Sequence, residues 1–425
     1  GRARAEIYQA VAFARLGRID EAHIALRHAV VELESADVYP TLILCAARAL
    51  EILGLDRRDV DPAADRARRA LQPIRSADDL DARIDAYVSE LLGDAWRPDD
   101  LFREATTRAD AASGFYNHNI RIDPPAGPVI VRIPIPASDA MDLTIWPESA
   151  VLRALRGHVR HAPRLLYAQD GPRYQVHDYI AGDLLEEIAP RGVAVPGHVI
   201  DDVLGLFDEL GRVPRDQFPA LPARWPDDGD TAGFARRLSA VTIDVHRRFS
   251  PEFGSLFATL GIPADPFASI DAGWAGLHSR PFRLLHTDIH RKNMILAGSE
   301  TYFLDWELAL YGDPVYDLAV HLHKMAYQPD EIDRLLAGWP RTATGPAADH
   351  WRADLAVYLA HERVKSAIVD TVRYTKLIAQ GNLDEQRRGE LVVKLVGKLN
   401  AAYDVWNVDR VAEPSGVSAA VRRWR

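Results

Sequence analysis

Apolar residues recur at helical spacing through Ile7, Ala10, Val11 and Phe13, and again through Ala22, Ile24, Ala25 and Val30, which predicts two helices between Ala5 and Glu34. Leu16-Gly17-Arg18-Ile19-Asp20-Glu21 between them is a glycine stop followed by an acidic restart, so the pair reads as an antiparallel hairpin. A break is expected at Ala95-Trp96-Arg97-Pro98-Asp99-Asp100, after which the pattern changes. Gly114 to Ile122 and Val129 to Ile133 read as strands joined by a proline-rich turn, and a helix is expected over Pro147 to Arg156. Further strands are expected at Arg164 to Ala168 and Arg173 to Tyr179. From Ala181-Gly182 onward the chain reads as chiefly helical, apart from a strand–loop–strand island from Phe282 to Trp306. The expected fold class is α+β, with an all-α segment over 1–98, a small antiparallel β region over 99–180 and a helical region over 181–425.

Within the first segment Ala12, Gly17, Ala22 and Ala29 resemble the small-residue pattern of a tetratricopeptide repeat. A weaker second copy is expected from Thr41 to Pro73, turning at Gly54. Two degenerate copies are fewer than a free-standing solenoid needs, so the segment is expected to pack on the rest of the chain.

The chain has 425 residues and a formal net charge of −10, which argues against a broad nucleic-acid-binding surface. Its single cysteine, Cys45, sits in an apolar run, excluding an internal disulfide framework or a cysteine-rich zinc site. No apolar stretch reaches the roughly 20 residues needed to span a bilayer. The N-terminal arginines precede no hydrophobic leader, and a cytoplasmic protein is expected. Lysine occurs only from Lys292 onward, so cationic roles earlier in the chain fall to arginine.

The strand–loop–strand island carries the candidate chemistry: Leu285-His286-Thr287-Asp288-Ile289-His290-Arg291-Lys292-Asn293-Met294, then Leu304-Asp305-Trp306-Glu307. Apolar runs flank a polar loop, so Asp288, Asn293 and Asp305 can converge at strand ends. Phosphoryl transfer needs positioning and charge neutralisation more than covalent help. Asn293 and Asp305 supply two oxygen ligands suited to Mg²⁺, a hard ion that takes few protein ligands. Asp288 is a separate carboxylate able to accept a hydroxyl proton. His-x-Asp-x-x-x-x-Asn, the later Asp-Trp-Glu, and Gly312-Asp313-Pro314-x-Tyr316-Asp317-Leu318-Ala319 together resemble the aminoglycoside phosphotransferase family, related in fold to protein kinases. The resemblance covers roughly Ser113 to Tyr374. It implies a bilobal kinase-like fold, ATP and Mg²⁺ as cofactors, Asp288 as catalytic base, and Asn293 and Asp305 as metal ligands.

Several neighbours keep two readings. His290 either donates toward the transferred phosphoryl group or orients Asp288; Arg291 and Lys292 are phosphate or substrate contacts or a solvated pair. His286 is expected to fix the loop by hydrogen bonding, Asp317 to brace it from beneath, and Glu307 to stand behind the metal.

A kinase-like small lobe further implies a loop over the phosphates, for which Ser113, Gly114, Asn117 and Asn119 are candidates. It also implies a cation on the next strand, here Arg132, paired with a helix carboxylate, here Glu148; Arg121 is the fallback. The hinge is placed at Tyr174 to Gly182, with an adenine edge bonding the backbone around His177 and Tyr179.

The acceptor expected on this reading is a hydroxyl on a small molecule, antibiotic-like or another natural product. Asp330, Glu331, Asp333, Glu362 and Asp370 are candidate carboxylates for an ammonium group, and solvated helix charge is the alternative. Two rival functions remain: a kinase acting on Ser or Thr of a peptide, and a pseudokinase whose N-terminal helices recruit a protein partner.

Overall fold

The structure is a computed structural model that describes residues 2–15, 18–35, 40–52, 58, 60–71, 77–92, 97–108, 112–113, 117–124, 127–135, 143–343 and 348–424. The chain divides into two compact units, residues 1–138 with 163–180, and residues 139–162 with 181–425.

In the first unit, α1 (Arg2–Arg15) and α2 (Ile19–Ser35) form the expected hairpin, followed by α3 (Pro40–Ile52), α4 (Asp61–Leu71), α5 (Ala77–Leu92) and α6 (Pro98–Thr107). Ile7 and Ala10 meet Leu26, Ala29 and Val30 in the buried layer, whereas Ile24 points to solvent. Gly17, Gly54 and the Ala95-Trp96 step lie outside the described residues.

Strands β1 (Ala112–Ser113), β2 (Asn117–Ile122), β3 (Val129–Pro134), β4 (Leu165–Asp170) and β5 (Arg173–Asp178) form one antiparallel sheet in the order β1-β2-β3-β5-β4. Val129, Val131, Tyr174 and Val176 face a buried cluster that continues without interruption to Ala3 of α1. The helices and the sheet therefore share one core. Arg48 of α3 strengthens that junction. Its buried guanidinium donates to the Leu165 and Leu166 carbonyls at the start of β4 and pairs with Glu51 and Asp85, each at 2.7 Å. Cys45 is buried on the same helix, and burial pushes its thiol up to about 12, which makes it a poor nucleophile.

The second unit contains α7 (Glu148–Leu155), β6 (Asp183–Leu184), α8 (Leu185–Ile188), α9 (Gly197–Leu210), α10 (Thr231–Thr259) and α11 (Ala268–Ala275). Four short strands follow: β7 (Arg283–Leu285), β8 (Met294–Ala297), β9 (Glu300–Phe303) and β10 (Leu310–Gly312). The helices α12 (Pro314–Met325), α13 (Pro329–Gly338), α14 (Trp351–Ala379), α15 (Glu385–Trp406) and α16 (Pro414–Arg423) complete it. β6, β8 and β9 make one small sheet and β7 pairs with β10.

The start of α12 explains the Gly312-Asp313-Pro314 motif. A Cβ on Gly312 would stand 2.3 Å from the Phe234 ring. Asp313 accepts the Val315 N–H at 2.9 Å as N-cap, and Pro314 occupies the first turn, where no amide proton is needed. Arg280 then bridges Asp313, at 2.7 Å, to Asp354 of α14, all three buried. α12 is thus fixed at its head before it reaches the polar loop. Among the described residues no helix is long and apolar enough to cross a membrane.

Candidate active site

The β8–β9 hairpin brings two distant residues together. Met294 pairs with Phe303, and the Leu304 N–H donates to the Asn293 carbonyl at 2.8 Å. Asn293 and Asp305 therefore emerge at the same end of the hairpin. The Asn293 amide nitrogen donates to the Asp288 carbonyl and to Asp288 Oδ2, both at 3.0 Å. Its NH₂ end is thereby spent on the loop, leaving the amide oxygen as the end with ligand character. The charge of Asp305 acts on both His286 and His290, so Asp288, His290, Asn293 and Asp305 occupy one neighbourhood.

The loop is held from two sides. The buried Asp317 carboxylate of α12 accepts the His286 N–H at 2.9 Å and the Thr287 N–H at 2.8 Å. Burial pushes Asp317 up to about 6 even though both donors favour its charged form. The His286 ring accepts the Asp288 N–H on Nδ1 at 3.3 Å, which leaves its Nε2–H to donate to the Leu304 carbonyl at 3.1 Å. One imidazole thus ties the Asp288 loop to the residue before Asp305, and burial keeps it neutral by lowering it to about 4. Thr287 and Asp305 both have left-handed backbones, with φ of 59° and 65°. Such conformations cost about 1–3 kcal/mol and persist where surroundings over-determine them; the Thr287 hydroxyl, donating to the Leu308 carbonyl at 2.6 Å, is part of that constraint.

Asp288 is largely buried. Burial acts to raise its carboxyl, but the Lys324 ammonium and the His290 ring outweigh this and hold it below the usual carboxylate range. His290 Nδ1 accepts the Lys292 N–H at 3.2 Å, so its proton sits on Nε2, 3.5 Å from Asp288 Oδ1. Burial lowers His290 below its ordinary value, leaving it neutral near pH 7. This geometry favours the orienting role for His290 over the phosphoryl one.

Two expectations are corrected here. Arg291 is neither a phosphate contact nor a solvated charge: its buried guanidinium donates to the Ala189, Met325 and Ala326 carbonyls and locks the loop to the end of α12. Three of the carboxylates offered to an ammonium group are already engaged. Glu331 accepts the Val195 and Gln328 N–H groups, Glu362 accepts from Tyr316 and His361, and Asp370 pairs with Lys398. Lys324, absent from the sequence expectations, contacts Asp288 Oδ1. A lone lysine near a helix end reads as solvated charge; only the polar spacing Asp317, His321, Lys324 along α12 hints otherwise.

The sequence profile of the phosphotransferase enzyme family (APH) matches residues 107–353. The chain belongs to this family. With membership comes the kinase-like α+β fold expected from the sequence motifs. Solved structures similar to this APH phosphotransferase include a choline/ethanolamine kinase family protein from Mesorhizobium loti, at 18% identity, covering 76% of this chain and 99% of that one, TM-score 0.43. Aminoglycoside phosphotransferase APH(4)-Ia matches at 14% identity, 76% and 97% coverage and TM-score 0.44. Macrolide 2′-phosphotransferase type I matches at 16% identity, 71% and 98% coverage and TM-score 0.44. No curated protein matches the chain in sequence.

The remaining candidates of this phosphotransferase lie in the first unit, except Glu148. Gly114 lies outside the described residues, and Ser113 ends β1. Asn117 and Asn119 belong to strand β2 rather than to a loop. Asn119 lies directly across from Arg132 and accepts its guanidinium at 3.1 Å. Arg132 is buried on β3 and its charge adds to burial in lowering His177 to about 3. The neutral His177 bonds Gln175 at 3.0 Å, and Tyr179 lies beneath Arg121 at 4.3 Å. Their side chains are occupied by the sheet, so recognition at this hinge would fall to backbone groups. Arg121 is exposed and paired with Asp123, which removes it as the fallback cation. Glu148, at the head of α7 in the second unit, accepts the Trp306 N–H at 3.0 Å and so grips the residue after Asp305.

Proposed function

We propose that this APH-family phosphotransferase moves the γ-phosphoryl group of ATP onto a hydroxyl of a small-molecule acceptor. The observation that carries the proposal is the gathering of Asp288, His290, Asn293 and Asp305 at one end of the β8–β9 hairpin. Asp288 serves as base because it is ionised, buried and oriented from both oxygens. It takes the hydroxyl proton as the acceptor oxygen bonds to the γ-phosphorus. The bond from that phosphorus to the β,γ-bridging oxygen breaks, and its electron pair leaves with ADP. His290 and Asn293 hold the carboxylate in place during that transfer.

The donor set fits Mg²⁺: one carboxylate and one amide oxygen suit a hard cation that completes its shell with phosphate oxygens and water. Asn293 and Asp305 would hold it, and bound there it neutralises charge on the phosphates. In the first unit, Arg132 with Asn119 is the proposed phosphate contact, and Ser113, Gly114 and Asn117 the adjoining edge. Glu148 is a further proposed residue of the nucleotide site, and the backbone around His177 and Tyr179 the proposed adenine contact. The acceptor class is proposed from the family: similar proteins are named for choline or ethanolamine, aminoglycosides and macrolides.

The test is label transfer from γ-³²P-ATP with Mg²⁺ to a panel of aminoglycosides, macrolides, choline-like alcohols and Ser/Thr peptides. Transfer to a small hydroxyl compound that falls by about 10²–10⁴ in Asp288→Asn is expected. Undiminished transfer in that variant rejects the base assignment, and transfer confined to peptides rejects the acceptor class.

A further inference from the structure

From its first turn to its C-terminal end, α12 makes contact with nearly every residue of the loop that carries Asp288. Asp317, His321 and Lys324 are spaced i, i+4 and i+7, which puts them on one helix face. Asp317 takes the backbone N–H groups of His286 and Thr287. His321 meets the Ile289 carbonyl with Nδ1 at 3.0 Å, and its Nε2 meets the Tyr327 hydroxyl at 3.0 Å. Lys324 reaches Asp288 Oδ1 itself. Beyond it, the Met325 and Ala326 carbonyls receive Arg291 from the far side of the loop.

Together these contacts span the loop from residue 286 to residue 291. Asp317, His321 and Arg291 are buried and act on backbone groups; they build the loop. Lys324 differs in both respects. Its side chain is 28% exposed against 14% for Asp288, so it stands at the solvent edge of the site, and its partner is the one carboxylate proposed to do chemistry. The chain has only six lysines and otherwise uses arginine. A lysine here places a compact charge with three donors on a single oxygen, where a planar guanidinium would span both. Asn293 already takes Oδ2, and a fork would compete with it.

We infer that Lys324 is a positioning residue of the phosphoryl-transfer centre, holding Asp288 Oδ1 so that the carboxylate keeps one orientation toward the acceptor hydroxyl. The inference rests on the proposed reaction. Because an exposed-edge ion pair contributes little to folding, loss of Lys324 registers in turnover rather than in stability. Orientation of a catalytic group is the kind of effect in which an ångström misplacement costs about a hundredfold.

Three measurements test it together. In Lys324→Met, kcat for label transfer from ATP is expected to fall at least thirtyfold. Its KM for ATP stays within about twofold of wild type and its melting temperature within about 3 °C; Lys324→Arg recovers at least a tenth of the lost rate. Without nucleotide, reductive methylation read by peptide mass mapping reports each of the six lysines separately. Lys324 is expected to react several-fold more slowly than the exposed Lys394, and to lose that protection in Asp288→Asn. A Met variant turning over within threefold of wild type overturns the inference alone. So does a loss that arginine does not restore and that tracks a lower melting temperature, or a Lys324 methylated as fast as Lys394. A wild type that transfers no label to any acceptor or to water overturns the proposed reaction and the inference with it, even if methylation protection persists.

Discussion

Replacing Asp317 by Asn should separate stability from function. The carboxylate is buried against the His286 and Thr287 amides, and its folded-state value is about 6 against an ordinary 3.8. Since the folded value lies above the unfolded one, the folded protein holds the proton more tightly. This group's stabilising contribution is complete below about pH 4 and is lost as pH rises through about 6. The gap corresponds to roughly 3 kcal/mol at about 1.4 kcal/mol per pH unit. At neutral pH the ionised carboxylate is thus a net burden on folding. Asparagine removes the burden but offers one oxygen to two N–H donors and turns its own NH₂ toward the other. Leaving one amide unsatisfied costs about 1–3 kcal/mol. The two effects nearly cancel, so Asp317→Asn should unfold within about 2 kcal/mol of wild type at pH 7.5. The loop preceding Asp288 loses a clamp, however, and kcat should fall by at least a hundredfold. Urea titrations at pH 4 and pH 7 with label-transfer kinetics make the test. Wild-type stability minus variant stability should drop by roughly 2 kcal/mol between those two pH values. A difference that stays flat or rises would rule out the raised Asp317 value, and a variant that keeps full turnover would rule out the clamp on the loop.

Three further outcomes follow from single contacts. Arg48→Ala should destabilise the first unit by about 3–5 kcal/mol in denaturant titrations, because it removes the Arg48 ion pair from the buried Glu51 and uncaps two carbonyls at β4; a loss under 1 kcal/mol would mean α3 is not anchoring the sheet. Gly182→Ala should cost about 1–3 kcal/mol and lower nucleotide affinity, since its Cβ would meet the Leu296 carbonyl oxygen at 2.3 Å; an unchanged melting curve would contradict that close approach. Arg291→Met should lower kcat at least tenfold while Lys292→Met stays within threefold, because only Arg291 bonds the end of α12; comparable losses would contradict the separation.

The strands and helices that a period of two or 3.6 can reveal were legible in the sequence, including β3, α7 and β5. So was the clustering of Asp288, Asn293 and Asp305, because an ordered motif specifies both residue type and spacing. Arg291 was not, because a charged residue three positions from the candidate base looks the same in sequence whether it faces phosphate or caps a helix. Burial decided that, and burial depends on the course of α12. Glu331 and Glu362 were hidden for a similar reason: a carboxylate on a helix carries no mark of the backbone amide or tyrosine that will occupy it. Lys324 lies 36 residues from Asp288, and no local pattern connects them. Asn119 is intelligible only once β2–β3 register sets it opposite Arg132.

Asn293 and Asp305 are proposed to hold a divalent cation against a nucleotide beside Asp288. Calorimetric titration with AMP-PNP tests it without knowledge of the acceptor. Binding is expected to weaken at least tenfold when Mg²⁺ is replaced by EDTA, with the same loss in Asp305→Ala at saturating Mg²⁺ and little change in Asp288→Asn. Binding that is equally tight with and without Mg²⁺, and unaffected by Asp305→Ala, would contradict it.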